Sequence, residues 1–403
     1  MSKVIVVGGG PAGMMASISA AQNNNEVILV ERNADVGRKL KLTGGGRCNI
    51  TNYRDIEILL EKVVTNKKFL FSAMYSFTNM DVLNFFASRG LKYKVEKDHK
   101  VFTETDKADE VIDIFRNELF KLNVDVQYNT KVEDFIVEDN TIKGIIAEDG
   151  RKIYADKVIV TTGGKSHPNT GSDGSMFSIL EKYGHTIKPF YPGLIPLVVK
   201  EGFVKELQGI SIPDVSISTK VKKKKIEILG DMIFTHFGLS GPAVLKFSSH
   251  INKLLDKGDV IVKLDLLTNL SKEELSNIIR SNPTKIAINN LKGYLPQNYI
   301  KFVAEQLNIS ETKVSDLRKE DENKLIEMIK ELTLTVEDTI TIKAAQVTSG
   351  GVNIKEITSS TMQSKIIKNL YFAGEVMDVD AETGGYNLQI AFSTGTLAGQ
   401  LNE

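Results

Sequence analysis

Within its first 31 residues the chain combines two apolar runs, a glycine-rich turn and an acidic residue. Residues 4–7 read Val-Ile-Val-Val and lead directly into the turn at 8–13, Gly-Gly-Gly-Pro-Ala-Gly. A stretch of small residues typical of a closely packed helix follows, and a second apolar run at 27–30 ends at Glu31, 18 residues after Gly13. This order of strand, glycine turn, helix, strand and acid predicts a dinucleotide-binding βαβ unit of Rossmann type.

The glycines and the acid of this unit have separate predicted roles. Gly8 allows the tight turn, Gly10 lets a diphosphate approach the N–H groups at the helix N-terminus, and Gly13 lets helix and strand pack closely. Glu31 is placed to accept hydrogen bonds from ribose hydroxyls. The unit alone does not distinguish FAD from NAD(P), and a glycine turn without a ligand is the alternative. The predicted cofactor-binding residues here are Gly8, Gly10, Pro11, Ala12, Gly13, Glu31 and Arg32.

Length and composition limit the class of protein. A chain of 403 residues is long enough for two or three domains. Lysine plus arginine and aspartate plus glutamate both number 51, so no global basic field favours nucleic acid or a membrane surface, and we expect a small-molecule substrate. Cys48 is the one cysteine, and a strand begins within three residues of the start. We therefore expect a cytoplasmic protein without disulfides, signal peptide or membrane span. The sequence does not indicate an oligomeric state.

The periodicity of apolar residues changes along the rest of the chain. Alternation from 124 to 154 predicts a small antiparallel meander that begins with a strand at 124–128, and a buried strand follows at 157–161. Between about 189 and 342, short alternating strands punctuated by prolines predict a β-barrel or sandwich, with the four lysines at 222–225 as a solvated hairpin tip. Residues 270–331 have helical spacing and open with a capping box.

Three further glycine-rich segments lie where backbone could approach a long ligand. They are the loop 43–49 with its three consecutive glycines, the break at 162–164 after the buried strand, and the return at 374–388, where Gly-Glu ends a short strand before a last helix. Consecutive glycines lose the most backbone entropy on ordering, so such loops are usually kept for close approach to a ligand. The cofactor-binding residues predicted in these segments are Thr43, Gly44, Gly45, Thr162, Gly163, Gly374, Glu375, Gly385 and Leu388.

A chain that leaves a nucleotide domain and returns to it at its end resembles flavoproteins of the glutathione reductase type, and this resemblance favours FAD. Three stretches are more specific: residues 36–52, residues 234–242 (Phe-Thr-His-Phe-Gly-Leu-Ser-Gly-Pro) and residues 371–389. They resemble the bacterial FAD-dependent oxidoreductase family that includes BaiN-like reductases and aminoacetone oxidase, and the similarity runs from end to end. The FAD contacts implied by this resemblance are Glu31, Lys39, Thr43, Arg47, Asn49, Val132, Gly374 and Asn387.

The resemblance also implies an α/β architecture in three parts. A Rossmann-like FAD-binding domain of glutathione reductase type is expected to comprise 1–188 and 343–403. An inserted β-barrel-like domain is expected to comprise 189–269 and 332–342, and a helical subdomain 270–331.

In flavoproteins that resemble this chain, the last helix points its N-terminus at the pyrimidine edge of the flavin. The partial positive charge of a helix N-terminus would ease hydride acceptance, so residues 384–387 are predicted electrostatic parts of catalysis. The alternative is an ordinary glycine loop capped by Asn387. The middle of the sequence has no second G-x-G-x-x-G motif, so we expect NADH or NADPH, as a co-substrate, to dock transiently over the ring.

Single residues with reactive side chains are weighed against structural roles. Cys48 follows Arg47, which would lower the thiol pKa at close range, but one thiol without a resolving partner is better interpreted as a packing residue. His236 is a candidate proton donor facing the flavin, with a structural histidine as the alternative. The other histidines show no metal-ligand spacing, so we expect no metal.

The sequence therefore predicts an FAD-dependent oxidoreductase that exchanges a hydride between flavin N5 and NAD(P)H or a small organic substrate. The alternatives are a flavin-dependent amine oxidase that uses oxygen, an FAD-dependent tRNA-modifying enzyme and a non-catalytic FAD-binding regulator. The even charge argues against the tRNA enzyme. Reductase and oxidase are not distinguished by the sequence.

Overall fold

The computed structural model describes residues 1–222 and 224–402, which form two compact units. The first comprises residues 1–192 and the C-terminal segment from 342, and the second comprises residues 193–341. Both chain ends thus belong to one unit, as in the predicted nucleotide domain. The helices of 270–331 lie in the second unit, and a separate helical subdomain stays a prediction.

A five-stranded parallel sheet forms the centre of the first unit. Its strands, in spatial order, are Leu370–Phe372, Lys157–Val160, Lys3–Val7, Glu26–Val30 and Asp125–Gln127. The central strands are buried almost throughout, which explains their continuous apolar sequence, because helices cover both faces of a parallel sheet. The predicted βαβ unit is confirmed.

The strand at 125–127 corrects one prediction. It was expected to begin the antiparallel meander, but it pairs in parallel with Glu26–Val30 at the edge of the main sheet. A three-residue edge strand has the same alternation in either kind of sheet, so its periodicity does not identify its partner. The meander itself is present as Val132–Glu138, Thr141–Ala147 and Lys152–Tyr154.

The opening helix, Pro11–Gln22, and the last helix, Tyr386–Gly399, pack unusually closely. A Cβ on Gly395 would lie 2.4 Å from the carbonyl oxygen of Ala12, and one on Gly399 would lie 2.5 Å from that of Ala16. Larger side chains would force these helices apart. The small residues where the two helices cross therefore hold the last helix against the glycine turn at the start of the opening helix.

The first unit contains further helices and strands around this sheet and the two crossing helices. Its other helices are Arg38–Leu42, Ile56–Glu61, Phe71–Ser76, Asn79–Ala87, Asp109–Lys121 and Ser175–Lys182. Its other strands are Thr51–Asn52, Val63–Thr65, Tyr93–Val95, Lys100–Thr103, Ile187–Gly193, Val347–Val352 and Asp380–Ala381.

The second unit is a closed six-stranded barrel with helices, which confirms the predicted β-barrel. The strands, in spatial order, are Leu197–Val199, Gly238–Ser240, Lys224–Thr235, Ser211–Val221, Val260–Asp265 and Leu332–Thr339. The helices are Pro242–Ile251, Lys272–Ile279, Gln297–Gln306 and Lys319–Lys330. A core that includes Phe234, Phe247 and Tyr299 joins barrel and helices.

Two local predictions fall in this unit. The capping box forms: the Ser271 Oγ accepts from the Glu274 N–H at 3.1 Å, and the Glu274 carboxylate accepts from the Ser271 N–H at 2.7 Å. Of the four lysines at the hairpin, Lys222 has the turn conformation and is exposed, Lys224 and Lys225 are exposed in the returning strand, and Lys223 lies outside the described residues.

Candidate active site

The glycine turn between the first strand and the opening helix has one crowded and one open position. A Cβ on Gly13 would lie 1.9 Å from the carbonyl oxygen of Gly8 and 2.5 Å from the Thr161 Oγ1. Apart from immediate neighbours, no described residue has a heavy atom within 4 Å of a Cβ on Gly10. Gly13 therefore allows the helix to pack closely on the turn. Gly10 leaves space in front of the first N–H groups of the helix, which have no hydrogen-bond partner within a helix.

Glu31 reaches back to this turn. Its buried carboxylate accepts from the Gly9 N–H at 2.6 Å through Oε2, and from the Asn33 N–H at 2.8 Å and the Asn33 side chain at 2.6 Å through Oε1. The segment before Val132 is adjacent, because the Thr130 N–H donates to the Glu31 carbonyl at 2.9 Å. Glu31 thus joins the glycine turn to the segment that precedes Val132. The Arg32 guanidinium pairs with Asp173 at 2.6 Å, and its predicted contact with the cofactor stays a prediction.

Lys39 and Glu375, both implied or predicted as cofactor contacts, form an ion pair at 2.7 Å. The Lys39 Nζ also donates to the Ser166 Oγ at 2.7 Å, and the Glu375 Oε1 accepts from the Thr348 N–H at 2.7 Å. Gly164 lies inside this cluster, since a Cβ there would be 2.4 Å from the Thr348 Oγ1. Ser166 and Thr348 were missed from the sequence, because a polar side chain in a loop or a short strand carries no periodic signal.

His167 lies at the border of the Lys39–Glu375 cluster. Partial burial and the nearby Lys39 ammonium lower the pKa of His167, while the Glu375 carboxylate acts in the opposite direction. The imidazole is therefore predominantly neutral at pH 7.

The loop 43–49 turns sharply at its glycines. Gly44 and Gly45 have φ of 59° and 69°, which favours glycine, and Gly45 has open space where a Cβ would be, as far as the described residues extend. The Thr43 Oγ1 donates to the Leu40 carbonyl at 2.7 Å. The loop is therefore held from inside; a Cβ on Gly44 would lie 2.9 Å from the Phe102 ring, whereas Gly45 and Gly46 have open space among the described residues.

Arg47 and Cys48 differ in environment although they are adjacent. Arg47 stacks on Phe102 at 3.9 Å and pairs with Glu96 at 3.0 Å and Asp106 at 3.3 Å. Its implied contact with FAD stays a prediction. Cys48 is buried, and burial raises the pKa of its thiol to about 12. The packing interpretation of Cys48 is supported, and a thiolate role is not.

The last helix begins at Tyr386, and none of the described side chains caps its N-terminus. Gly385 has φ of 90°, and a Cβ there would lie 2.4 Å from the Thr51 carbonyl oxygen. The Asn49 side-chain oxygen, in the amide orientation that satisfies both its ends, accepts from the Gly385 N–H at 3.0 Å. Asn387 bonds the N–H and the carbonyl of Ala381, each at 2.9 Å. Asn387 therefore does not cap this helix and instead fixes the preceding strand, and a catalytic role of residues 384–387 stays a prediction. Leu388, the next residue, is partly buried in the first turn of this helix.

The residues present fit FAD. The open Gly10 and Gly45 provide backbone without side chains, and the buried Oγ atoms of Thr162 and Ser172 have no hydrogen-bond partner among the described residues. Buried hydroxyls normally have partners, so these two are available to a ligand. The glycine turn, Glu31, the Lys39–Glu375 pair and the start of the last helix stay the predicted contacts for this cofactor.

His236 lies in the second unit, in the turn between Lys224–Thr235 and Gly238–Ser240. It is exposed, and its ring contacts that of Phe237 at a centroid distance of 4.9 Å. Its role as proton donor stays a prediction. In the described part of the chain, no three His, Cys, Asp or Glu side chains are arranged to hold a metal ion, and no helix is long and apolar enough to cross a membrane.

Comparison with known proteins identifies the family. The HI0933-like protein Rossmann domain family matches residues 2–401. A 3-dehydro-bile acid delta(4,6)-reductase of Clostridium scindens is 31% identical over 99% of this chain and 98% of its own length. A ribosomal RNA dihydrouridine synthase of Escherichia coli is 31% identical over 98% of this chain and 96% of its own length.

A solved structure supports the fold. The 3-ketosteroid delta1-dehydrogenase of Sterolibacterium denitrificans covers 99% of this chain and 98% of its own with a TM-score of 0.52 and 12% identity. The resemblance noted in the sequence is confirmed. The chain belongs to the HI0933-like Rossmann family and is an FAD-dependent oxidoreductase.

Proposed function

We propose that this enzyme reduces a carbon–carbon double bond conjugated to a carbonyl group, with NADH or NADPH as the hydride donor. The observation that carries the proposal is the match over nearly the full length to two reductive enzymes. The name of the first describes saturation of the delta(4,6) bonds of a 3-oxo bile acid, and that of the second describes conversion of uridine to dihydrouridine. Both reactions saturate a double bond activated by a carbonyl.

The chain's own residues would bind and orient the cofactor. Bound FAD supplies the ring that takes up and releases a hydride. The N–H groups behind Gly10 would hold the diphosphate, and Glu31 would hold the ribose. The uncapped start of the last helix would place a partial positive charge of about +0.5 near the ring.

The route of the electrons follows from what the sequence contains. With one buried cysteine there is no dithiol to carry electrons, and the middle of the sequence has no second nucleotide-binding glycine motif. NAD(P)H would therefore dock transiently, and the substrate would take its place. In the balanced reaction, a hydride from NAD(P)H adds to the β-carbon and a proton adds to the α-carbon, giving NAD(P)⁺ and the saturated product.

Anaerobic mixing tests this proposal. NADH or NADPH should bleach the visible flavin absorption, and a conjugated enone should then restore it. A 3-oxo-4-ene steroid and a uridine-containing RNA fragment, added in separate arms, distinguish the two sources of the same chemistry. A saturated ketone is the matched control and should not restore the colour. Bleaching by primary amines but not by NAD(P)H, with recovery in oxygen, would replace the proposal by the amine oxidase alternative.

A further inference from the structure

Ser172 combines burial with an unused hydroxyl group. The residue is 6% exposed, and its Oγ has no hydrogen-bond partner among the described residues. A buried hydroxyl without a partner destabilises the protein, so it is rarely kept unless something else satisfies it. Neither the glycine motifs nor the family resemblance singled out this residue.

The Ser172 hydroxyl lies beside the break that follows the buried strand. Its Oγ would be 2.8 Å from a Cβ on Gly163, and the Glu375 Oε2 would be 4.0 Å from the same position. Thr162, the residue before Gly163, has its Cα 3.2 Å from a Cβ built on Gly8. A continuous wall therefore runs from the glycine turn, through Thr162 and Gly163, to the Ser172 hydroxyl.

The loop that carries Ser172 is tied to the segment after Glu31. The Arg32 guanidinium pairs with Asp173 at 2.6 Å and donates to the Gly171 carbonyl at 3.4 Å. The Asn33 side chain donates to the Thr170 carbonyl at 3.1 Å. Residues on both sides of Ser172 are thus anchored next to the acid that is expected to bind ribose.

We propose that the Ser172 hydroxyl is a binding group for the ADP half of FAD. A serine hydroxyl can donate to a phosphate or ribose oxygen and can accept from a ribose hydroxyl, so it suits this part of the ligand. The Arg32–Asp173 pair acts as a positioning contact that keeps the loop in place. This assignment rests on FAD as the cofactor and is independent of which substrate the enzyme reduces.

Replacement of Ser172 by alanine tests the assignment without an activity measurement. FAD is titrated into the flavin-free protein by fluorescence quenching, and ADP is used as a competitor. With Ser172→Ala the dissociation constants of FAD and of ADP should both rise about tenfold, the loss expected for one hydrogen bond to a charged group. The matched control is Ser178→Ala, an exposed serine whose Oγ donates to the Ser175 carbonyl at 3.0 Å. It should leave both constants unchanged.

The melting temperature of the flavin-free protein separates binding from a structural role. Since Ser172→Ala removes a hydroxyl without a partner, the flavin-free variant should melt at the same temperature as the parent protein or higher. Unchanged affinity for FAD and ADP would overturn the proposal. Weaker FAD binding with unchanged ADP competition would also overturn it, because the hydroxyl would then serve the flavin half. A lower melting temperature of the flavin-free variant would assign Ser172 a structural role instead.

Discussion

Gly10→Ala and Gly13→Ala are expected to impair the protein in different ways, although the two glycines lie in the same turn. Gly10 has φ of −78° and ψ of −179°, an extended backbone that any residue adopts, and open space where a side chain would begin. At Gly13 the new Cβ would lie 1.9 Å from the Gly8 carbonyl oxygen, so backbone would have to move. Gly10→Ala should therefore weaken FAD binding and leave the stability of the flavin-free protein unchanged. Gly13→Ala should lower the stability of the protein.

The magnitudes follow from these contacts. Gly10→Ala would keep the diphosphate away from the helix N-terminus, and two lost hydrogen bonds to a charged group cost about 3 kcal/mol, or roughly 100-fold in the FAD dissociation constant. The flavin-free protein should melt at an unchanged temperature. Gly13→Ala adds an atom to a filled space, at a cost of about 1–3 kcal/mol, which lowers the melting temperature by roughly 3–10 °C.

Two measurements on flavin-free protein test this pair: an FAD titration by fluorescence quenching and a thermal melt by circular dichroism. Gly202→Ala is the matched control, because Gly202 also has open space around it among the described residues but lies in the second unit. It should change neither quantity. Wild-type FAD affinity in Gly10→Ala, or a drop in its melting temperature as large as that of Gly13→Ala, would refute the reasoning.

Three other outcomes are expected. Glu31→Gln keeps one acceptor oxygen but loses the charge, so FAD retention on desalting should fall several-fold, by roughly 1–2 kcal/mol, and unaltered retention would count against a ribose role. Cys48, with its thiol pKa raised to about 12 by burial, should resist iodoacetamide at pH 8 in native protein and react after denaturation. Burial lowers the pKa of His185, so the unfolded chain binds more protons below about pH 6.5. The melting temperature should therefore fall as the pH drops from 7 to 5, and less so in His185→Gln.

The first unit was largely predictable because its signals are local. A strand that is buried on both faces must be apolar throughout. The turn must keep glycine at position 13, because a Cβ there would overlap backbone atoms. Residues 3–31 could therefore be interpreted without a structure. The barrel was predictable from alternation for the same reason. The strand at 125–127 was predicted in the wrong sheet, because its pairing partner, Glu26–Val30, is distant in the sequence.

The site was only partly predictable because many of its contacts join distant residues. The Lys39–Glu375 pair spans 336 positions, and nothing in the sequence near either residue specifies the other. Ser166, Ser172 and Thr348 lie in loops or a short strand, where polar residues are expected for solubility alone. Asn387 was correctly placed at the start of the last helix, but its bonds to Ala381 replace the helix-capping role that its residue type suggested.

The most direct test of the central claim is the fate of deuterium from NADH or NADPH labelled at C4 of the nicotinamide. In an anaerobic single turnover with a conjugated enone, mass spectrometry and NMR should find the label at the β-carbon of the saturated product and an unlabelled solvent proton at the α-carbon. A saturated product without deuterium from either nucleotide, or no product while the flavin stays oxidised, would contradict the account.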